Sequence, residues 1–317
     1  MGRADAILAR CVMRVALLTI APLLAGCRPP ATAPQEGDRP LGVMVGIDPQ
    51  AFLVDRIGGQ RVRVGVLVGP GQSPHVYEPT PRQMSDVSAA RALFITGLEF
   101  EQRLVGRVRS LAPRVEIVDL RQGLTLRVLT GDEVCLHEHG SPDDHHHHGA
   151  YPDPHVWLDP RAMITQARTI HGVLSRLDPD GRETFDAGLA ELESELTLLH
   201  ERLAAKLAPV AGREMFVFHP AFGYLADAYG LSQVPVEQDG KSPSARHVME
   251  VSARMRQSGA SVLFTDPQTS QTTVRALAQE LACDVVVLHT LSRDYISSMD
   301  EIGRRIRDAL LPQGEPQ

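Results

Sequence analysis

Short apolar runs alternate with helix-period stretches in two separate series along this chain, with one long helical stretch between them. Residues 41–47 read as a strand, 51–57 as a helix and 61–68 as a valine-rich strand. A helix at 81–90, a strand at 92–95, a helix at 101–111 and a strand at 115–119 complete the first series. The second runs strand 214–218, helix 224–229, strand 233–236, helix 247–258, strand 262–265, helix 272–281, strand 284–288 and helix 295–311. Strand–helix–strand repetition predicts an α/β fold of two lobes, each with a mainly parallel sheet flanked by helices.

Residues 161–208 have a different texture, helical and broken only near Asp178-Pro179-Asp180-Gly181. Past that break, Leu189, Leu192, Leu196, Leu199, Leu203 and Leu207 recur in steps of three and four. The spacing puts one apolar stripe on a helix of about 40 Å at 1.5 Å per residue. Too few heptads are sustained for a coiled-coil dimer seam, so the helix reads as a stiff strut between two lobes of a monomer. The expected organisation is an N-terminal lobe at 41–180, a linking helix at 181–208 and a C-terminal lobe at 209–317. About 270 residues in that span suit two domains.

The first residues read as a processing signal. Arg3, Arg10 and Arg14 precede an apolar run at 15–25, shorter than the about 20 residues that span a bilayer. Residues 1–26 are expected to be a signal peptide. Leu24-Ala25-Gly26-Cys27 resembles the bacterial lipobox, which implies cleavage before Cys27 and lipid on its thiol. Residues 27–40 are proline-rich with little to bury, and read as a disordered tether. The folded part is therefore expected outside the cytoplasmic membrane, in the periplasm or at the cell surface, held by lipid. Cys135 and Cys283 remain in an oxidising compartment, and their contexts do not suggest a pair. The net charge of −7, without a basic patch interleaved with aromatics, argues against nucleic acid as a partner.

Histidine carries the functional signal. A loop at 136–150 holds His137, His139, His145, His146, His147 and His148. No hydrophobic core needs such a segment, whereas dense imidazole collects borderline transition metals. It is expected to capture zinc weakly and exchangeably. Four other histidines stand in ordered contexts: His75 in Ser73-Pro74-His75-Val76-Tyr77-Glu78-Pro79, His155 in Asp153-Pro154-His155-Val156-Trp157-Leu158-Asp159-Pro160, His219 in Phe218-His219-Pro220-Ala221, and His289 after Val285-Val286-Val287-Leu288. Strand ends are where open α/β sheets bind ligands, so the expected site is the cleft between the lobes. Imidazole suits Zn²⁺ at about 2.0–2.1 Å; manganese, magnesium and calcium favour oxygen. Copper(II) and nickel(II) also bind imidazole.

At these motifs, and over about residues 41–311, the chain resembles the metal-binding solute-binding lipoproteins of ABC importers, the zinc/manganese ZnuA-like family. The stretches around His75, His155 and His219 resemble the family's first three ligand motifs in order. The resemblance implies two lobes with a rigid linking helix, a histidine-rich loop in zinc-preferring members, and delivery of Zn²⁺ to an ABC transporter permease without bond chemistry. One departure stands out. Leu288-His289-Thr290-Leu291-Ser292 occupies the place of an Asp-Pro-Leu-Gly type motif. Either His289 ligates, giving an all-nitrogen site, or it hangs back while water or a nearby carboxylate completes the shell; ligation is the preferred expectation. Glu237 and Asp266 are candidates to offset the dication. Three alternatives remain: a manganese or other divalent-metal binder of the same family, an adhesin or metal buffer that meets no permease, and a secreted zinc hydrolase. The last lacks a His-Glu-x-x-His pattern and a glycine-framed nucleophilic serine.

Overall fold

Central strands of a parallel sheet are covered on both faces, so they read as unbroken apolar runs. The computed structural model, which describes residues 39–129, 151–237 and 243–311, shows this in both halves of the chain. The first series forms β1 (Leu41–Val45), α1 (Asp48–Gly58), β2 (Val62–Val66), α2 (Pro81–Ala89), β3 (Ala92–Ile95), α3 (Glu99–Leu111) and β4 (Glu116–Asp119). Its strands are parallel, in the order β2-β1-β3-β4. Ala92, Leu93 and Phe94 of β3 are fully buried. A short antiparallel ladder follows, β5 (Val128–Leu129) with β6 (Tyr151–Pro152). Then come two helices, α4 (Pro160–Leu177) and α5 (Arg182–Leu207).

The second series forms β7 (Glu214–Val217), α6 (Gly223–Tyr229), β8 (Ser232–Pro235), α7 (Ala245–Ser258), β9 (Val262–Thr265), α8 (Gln271–Leu281), β10 (Asp284–Val287) and α9 (Tyr295–Leu310). Its strands are again parallel, in the order β10-β9-β7-β8. Each sheet reverses its strand order once, between β1 and β3 and between β7 and β9. Connections leave such a point in opposite directions and open a crevice at the carboxyl ends.

Local chemistry sets the helix boundaries. Thr80 and Gln83 form a reciprocal capping box at the start of α2, with Pro81 at the first helical position. Asp159 caps α4 by accepting from the Arg161 amide, and Pro160 again opens the helix. Left-handed Gly230 and Gly259 end α6 and α7.

α5 is the strut. Its 26 residues extend about 39 Å at 1.5 Å per residue. Leu192, Leu196, Leu199, Leu203 and Leu207 are fully buried along one side. The helix packs against α4 and α1 on the N-terminal side and against α9 on the C-terminal side. Two glycines permit the close approach. A Cβ at Gly188 would lie 2.6 Å from the Arg56 carbonyl oxygen and 2.9 Å from Ile57 Cα, and one at Gly303 would lie 2.5 Å from Leu203 Cδ2. Among the described residues no helix is long and apolar enough to cross a membrane. The expected signal peptide, Cys27 and the histidines at 137–148 lie outside the described residues.

The α1–α5 contact yields a stability prediction. Gly188→Val places a branched side chain against backbone that cannot swing away, so unfolding free energy should fall by at least about 2 kcal/mol. Urea denaturation followed by circular dichroism measures it; an unchanged midpoint would refute the close-packing account.

Candidate metal centre

His75 lies in the long connection after β2. Pro74–Val76 form one 3-10 turn, and the Ser73 hydroxyl accepts from the His75 amide at 3.4 Å. The connection is braced behind the turn: Gln83 Nε2 donates to the Leu67 carbonyl at 2.8 Å, and the Tyr77 ring meets Phe100 edge-on at 5.1 Å. His155 lies three residues past the end of β6 and precedes the 3-10 turn Val156–Leu158. His219 lies just past β7, at the strand-order reversal of the second sheet, where the Phe218 amide donates to the Phe264 carbonyl at 2.8 Å.

These three histidines meet. His75, His155 and His219 each offer one ring nitrogen, and the three nitrogens lie within 4.8 Å of one another. Ring centroids are 4.5 Å apart for His75–His219, 5.3 Å for His155–His219 and 5.7 Å for His75–His155. His155 and His219 are buried and His75 is half-buried. A cavity of about 170 Å³ opens beside them, walled by Trp157, Phe218, Glu237, Asp266, Thr269 and Thr290 among others.

Two rings are aimed by carboxylates. Asp153 Oδ1 accepts from the His155 amide at 2.9 Å and lies 2.7 Å from its Nδ1. Glu237 Oε2 lies 2.9 Å from Nδ1 of His219. An ionised carboxylate only accepts, so with Asp153 and Glu237 ionised each Nδ1 carries the proton. Glu237 thus stands where charge compensation was expected. Asp266 does something else: its Oδ1 accepts from the Gln268 and Thr269 amides at 2.8 and 2.9 Å, and its Oδ2 from the Thr269 hydroxyl at 3.1 Å. It folds its own loop on the cavity wall.

His289 is not among the three grouped nitrogens, which come from His75, His155 and His219. The side chain is exposed, while Leu288 and Thr290 are buried. Alternate residues of an extended chain face opposite sides, so facing Leu288 and Thr290 inward turns His289 out. β10 is also an edge strand of its sheet. Thr290 and Leu291 line the cavity instead. The Thr290 carbonyl accepts from Trp157 Nε1 at 3.0 Å, and the Tyr295 hydroxyl donates to the Trp157 carbonyl at 2.7 Å, which ties the two lobes beside the site.

The role of Asp153 was missed in the sequence, although its signal was there. An aspartate two residues before His155 can accept from that residue's amide in an Asx turn, which also brings its carboxylate to the ring. A larger hollow of about 400 Å³ lies at Ser261, Arg275, Cys283 and Asp284. Ser261 and Asp284 mark the amino ends of β9 and β10, so this hollow is on the opposite side of the sheet from the histidines.

The profile of the family described as "Zinc-uptake complex component A periplasmic" (ZnuA) matches residues 43–309. The chain belongs to this family. It is 28% identical to the high-affinity zinc uptake system protein ZnuA of Yersinia pestis over 251 residues, 75% of this chain and 79% of that protein. It is 25% identical to the zinc-binding lipoprotein AdcA of Streptococcus pneumoniae over 279 residues, 84% of this chain but only 55% of that longer protein. A solved structure of a ZnuA deletion mutant with zinc bound is 32% identical, with a TM-score of 0.77, covering 87% of this chain and all of that one.

The carboxylate behind His219 generates a prediction. Glu237→Gln removes the charge that polarises the ring but keeps its shape, so zinc affinity should fall about 10–100-fold. Competition against a chromophoric chelator reads this out; wild-type affinity in the variant would remove Glu237 from the site's working parts.

Proposed function

We propose that this member of the ZnuA family captures Zn²⁺ outside the cytoplasmic membrane and delivers it to an ABC transporter permease. His75, His155 and His219 are the protein's ligands in this reading. One observation carries it: imidazoles from three separate connections, two from the N-terminal half and one from the C-terminal half, stand within 4.8 Å of one another. Tetrahedral zinc at about 2.0–2.1 Å from each nitrogen sets nitrogens about 3.3 Å apart, so binding draws the trio together. Ligands divided between lobes make capture a closing motion and release an opening one.

Nitrogen donors favour zinc over manganese, magnesium or calcium. Charge supports the same reading. Asp153 and Glu237 sit behind the imidazoles of His155 and His219, and two carboxylates offset one dication without binding it. The reading includes no bond chemistry. Residues 1–26 are a signal peptide, Cys27 carries the lipid anchor and the chain is a monomer in this reading. The segment with His137, His139 and His145–His148 is a weak, exchangeable collector beside the tight site.

Titration of the purified chain with zinc should give one tight site. His75→Ala, His155→Ala and His219→Ala should each weaken it at least about 100-fold, near 2.7 kcal/mol. His289→Ala should change it less than about threefold, within 0.7 kcal/mol. A trio variant that keeps wild-type affinity would overturn the ligand assignment. Separately, removing residues 137–148 should abolish the weak zinc equivalents seen by calorimetry and leave the tight one; loss of the tight site would mean that the segment is part of it.

A further inference from the structure

The roots of the histidine-rich segment and the metal centre share one hydroxyl group. β5 and β6 pair antiparallel, Val128 with Pro152 and Leu129 with Tyr151, and the chain between them carries the six loop histidines. Arg127 directly precedes β5 and Asp153 directly follows β6. The Asp153 amide donates to the Arg127 carbonyl at 2.8 Å. Tyr224 reaches both from α6, in the other lobe. Its hydroxyl accepts from the Arg127 amide at 2.9 Å and donates to the Asp153 carbonyl at 3.1 Å.

The chain of contacts continues to the site. Asp153 is fully buried and holds both the amide and the ring Nδ1 of His155. The Arg127 guanidinium lies 3.7 Å from Asp153 Oδ2 and 3.2 Å from Asp227 of α6. Gly223 admits that guanidinium: a Cβ there would lie 2.6 Å from Nη1. Burial pushes the Tyr224 phenol up to about 12, so its proton stays in place to be donated. α6 itself begins four residues after His219. The helix that follows one trio member therefore grips the residue that aims another.

Any buried tyrosine finds partners for its hydroxyl. Here both partners come from the opposite lobe, and one of them orients a ligand. We infer that Tyr224 is a positioning residue: through Asp153 it sets the His155 imidazole against the C-terminal lobe, so that lobe approach and ligand orientation are fixed by the same group. This rests on His155 being a zinc ligand.

The test uses the full chain loaded with zinc. Tyr224→Phe keeps the ring and its packing and loses only the hydroxyl. Zinc dissociation, followed by stopped-flow transfer to a chelator, should quicken about 3–30-fold, with association changed less than about threefold, as expected for a residue that holds a ligand's partner. Proton NMR adds an internal control. The Nδ1–H signal of His155, bonded to Asp153, should shift or broaden in the variant, while that of His219, bonded to Glu237, should not. A wild-type dissociation rate, no change at His155, or equal changes at both histidines, the sign of general loosening, would each overturn the inference. The zinc reading fails separately, if wild-type protein takes up no tight zinc or His155→Ala binds it normally.

Discussion

The buried leucine seam of α5 is the constraint on which the rest depends. Donor atoms for a shared ion must be placed to within about 0.5 Å, yet here they hang from connections of two different sheets. A single helix touching α1 in one lobe and α9 in the other gives both sheets one common reference. Each fully buried leucine on that helix stabilises the contact by roughly 1.5–3 kcal/mol, and the row runs most of its length. The bond from Trp157 to the Thr290 carbonyl then fixes the lobes a second time, close to the histidines. Both ties cross between the lobes, one along the strut and one beside the histidines.

The electrostatics follow from that enclosure. Asp153 is fully buried and Glu237 nearly so, and an unpaired carboxylate in such surroundings costs several kcal/mol. Each is instead paired with an imidazole Nδ1–H. The arrangement fixes the tautomer of the ring, raises the basicity of its far nitrogen and supplies negative charge one ring away from the trio. A dication can thus be compensated without a carboxylate ever touching it.

The fold was almost entirely legible in the chain. The strands at 92–95 and 262–265 and the helix break near Asp178 fall where the apolar patterns put them, because parallel strands and a core-facing strut leave strong periodic signatures. The meeting of His75, His155 and His219 was legible too, since several histidines placed after strands or within one loop of them share the side of an α/β sheet where ligands bind. The outward placement of His289 was not legible: a run of valines announces a strand, but which of the following residues turns inward is set by Leu288 and Thr290 being buried, and neither side is written in the spacing. Asp153 and Tyr224 were not assigned roles because their work depends on partners distant in sequence: the Tyr224 hydroxyl meets residues 71 and 97 positions away.

The ladder of β5 and β6 has a consequence of a different kind. Two ladder pairs and the Asp153–Arg127 backbone bond join the roots of the intervening segment, and the chain re-enters the scaffold at the same place it left. Among the described residues, both four-stranded sheets and the strut are complete without anything drawn from between those roots. This junction is a natural graft point. A reporter group or a peptide with other donor atoms spliced there would be separated from the aspartate that orients His155 by Tyr151 and Pro152 alone.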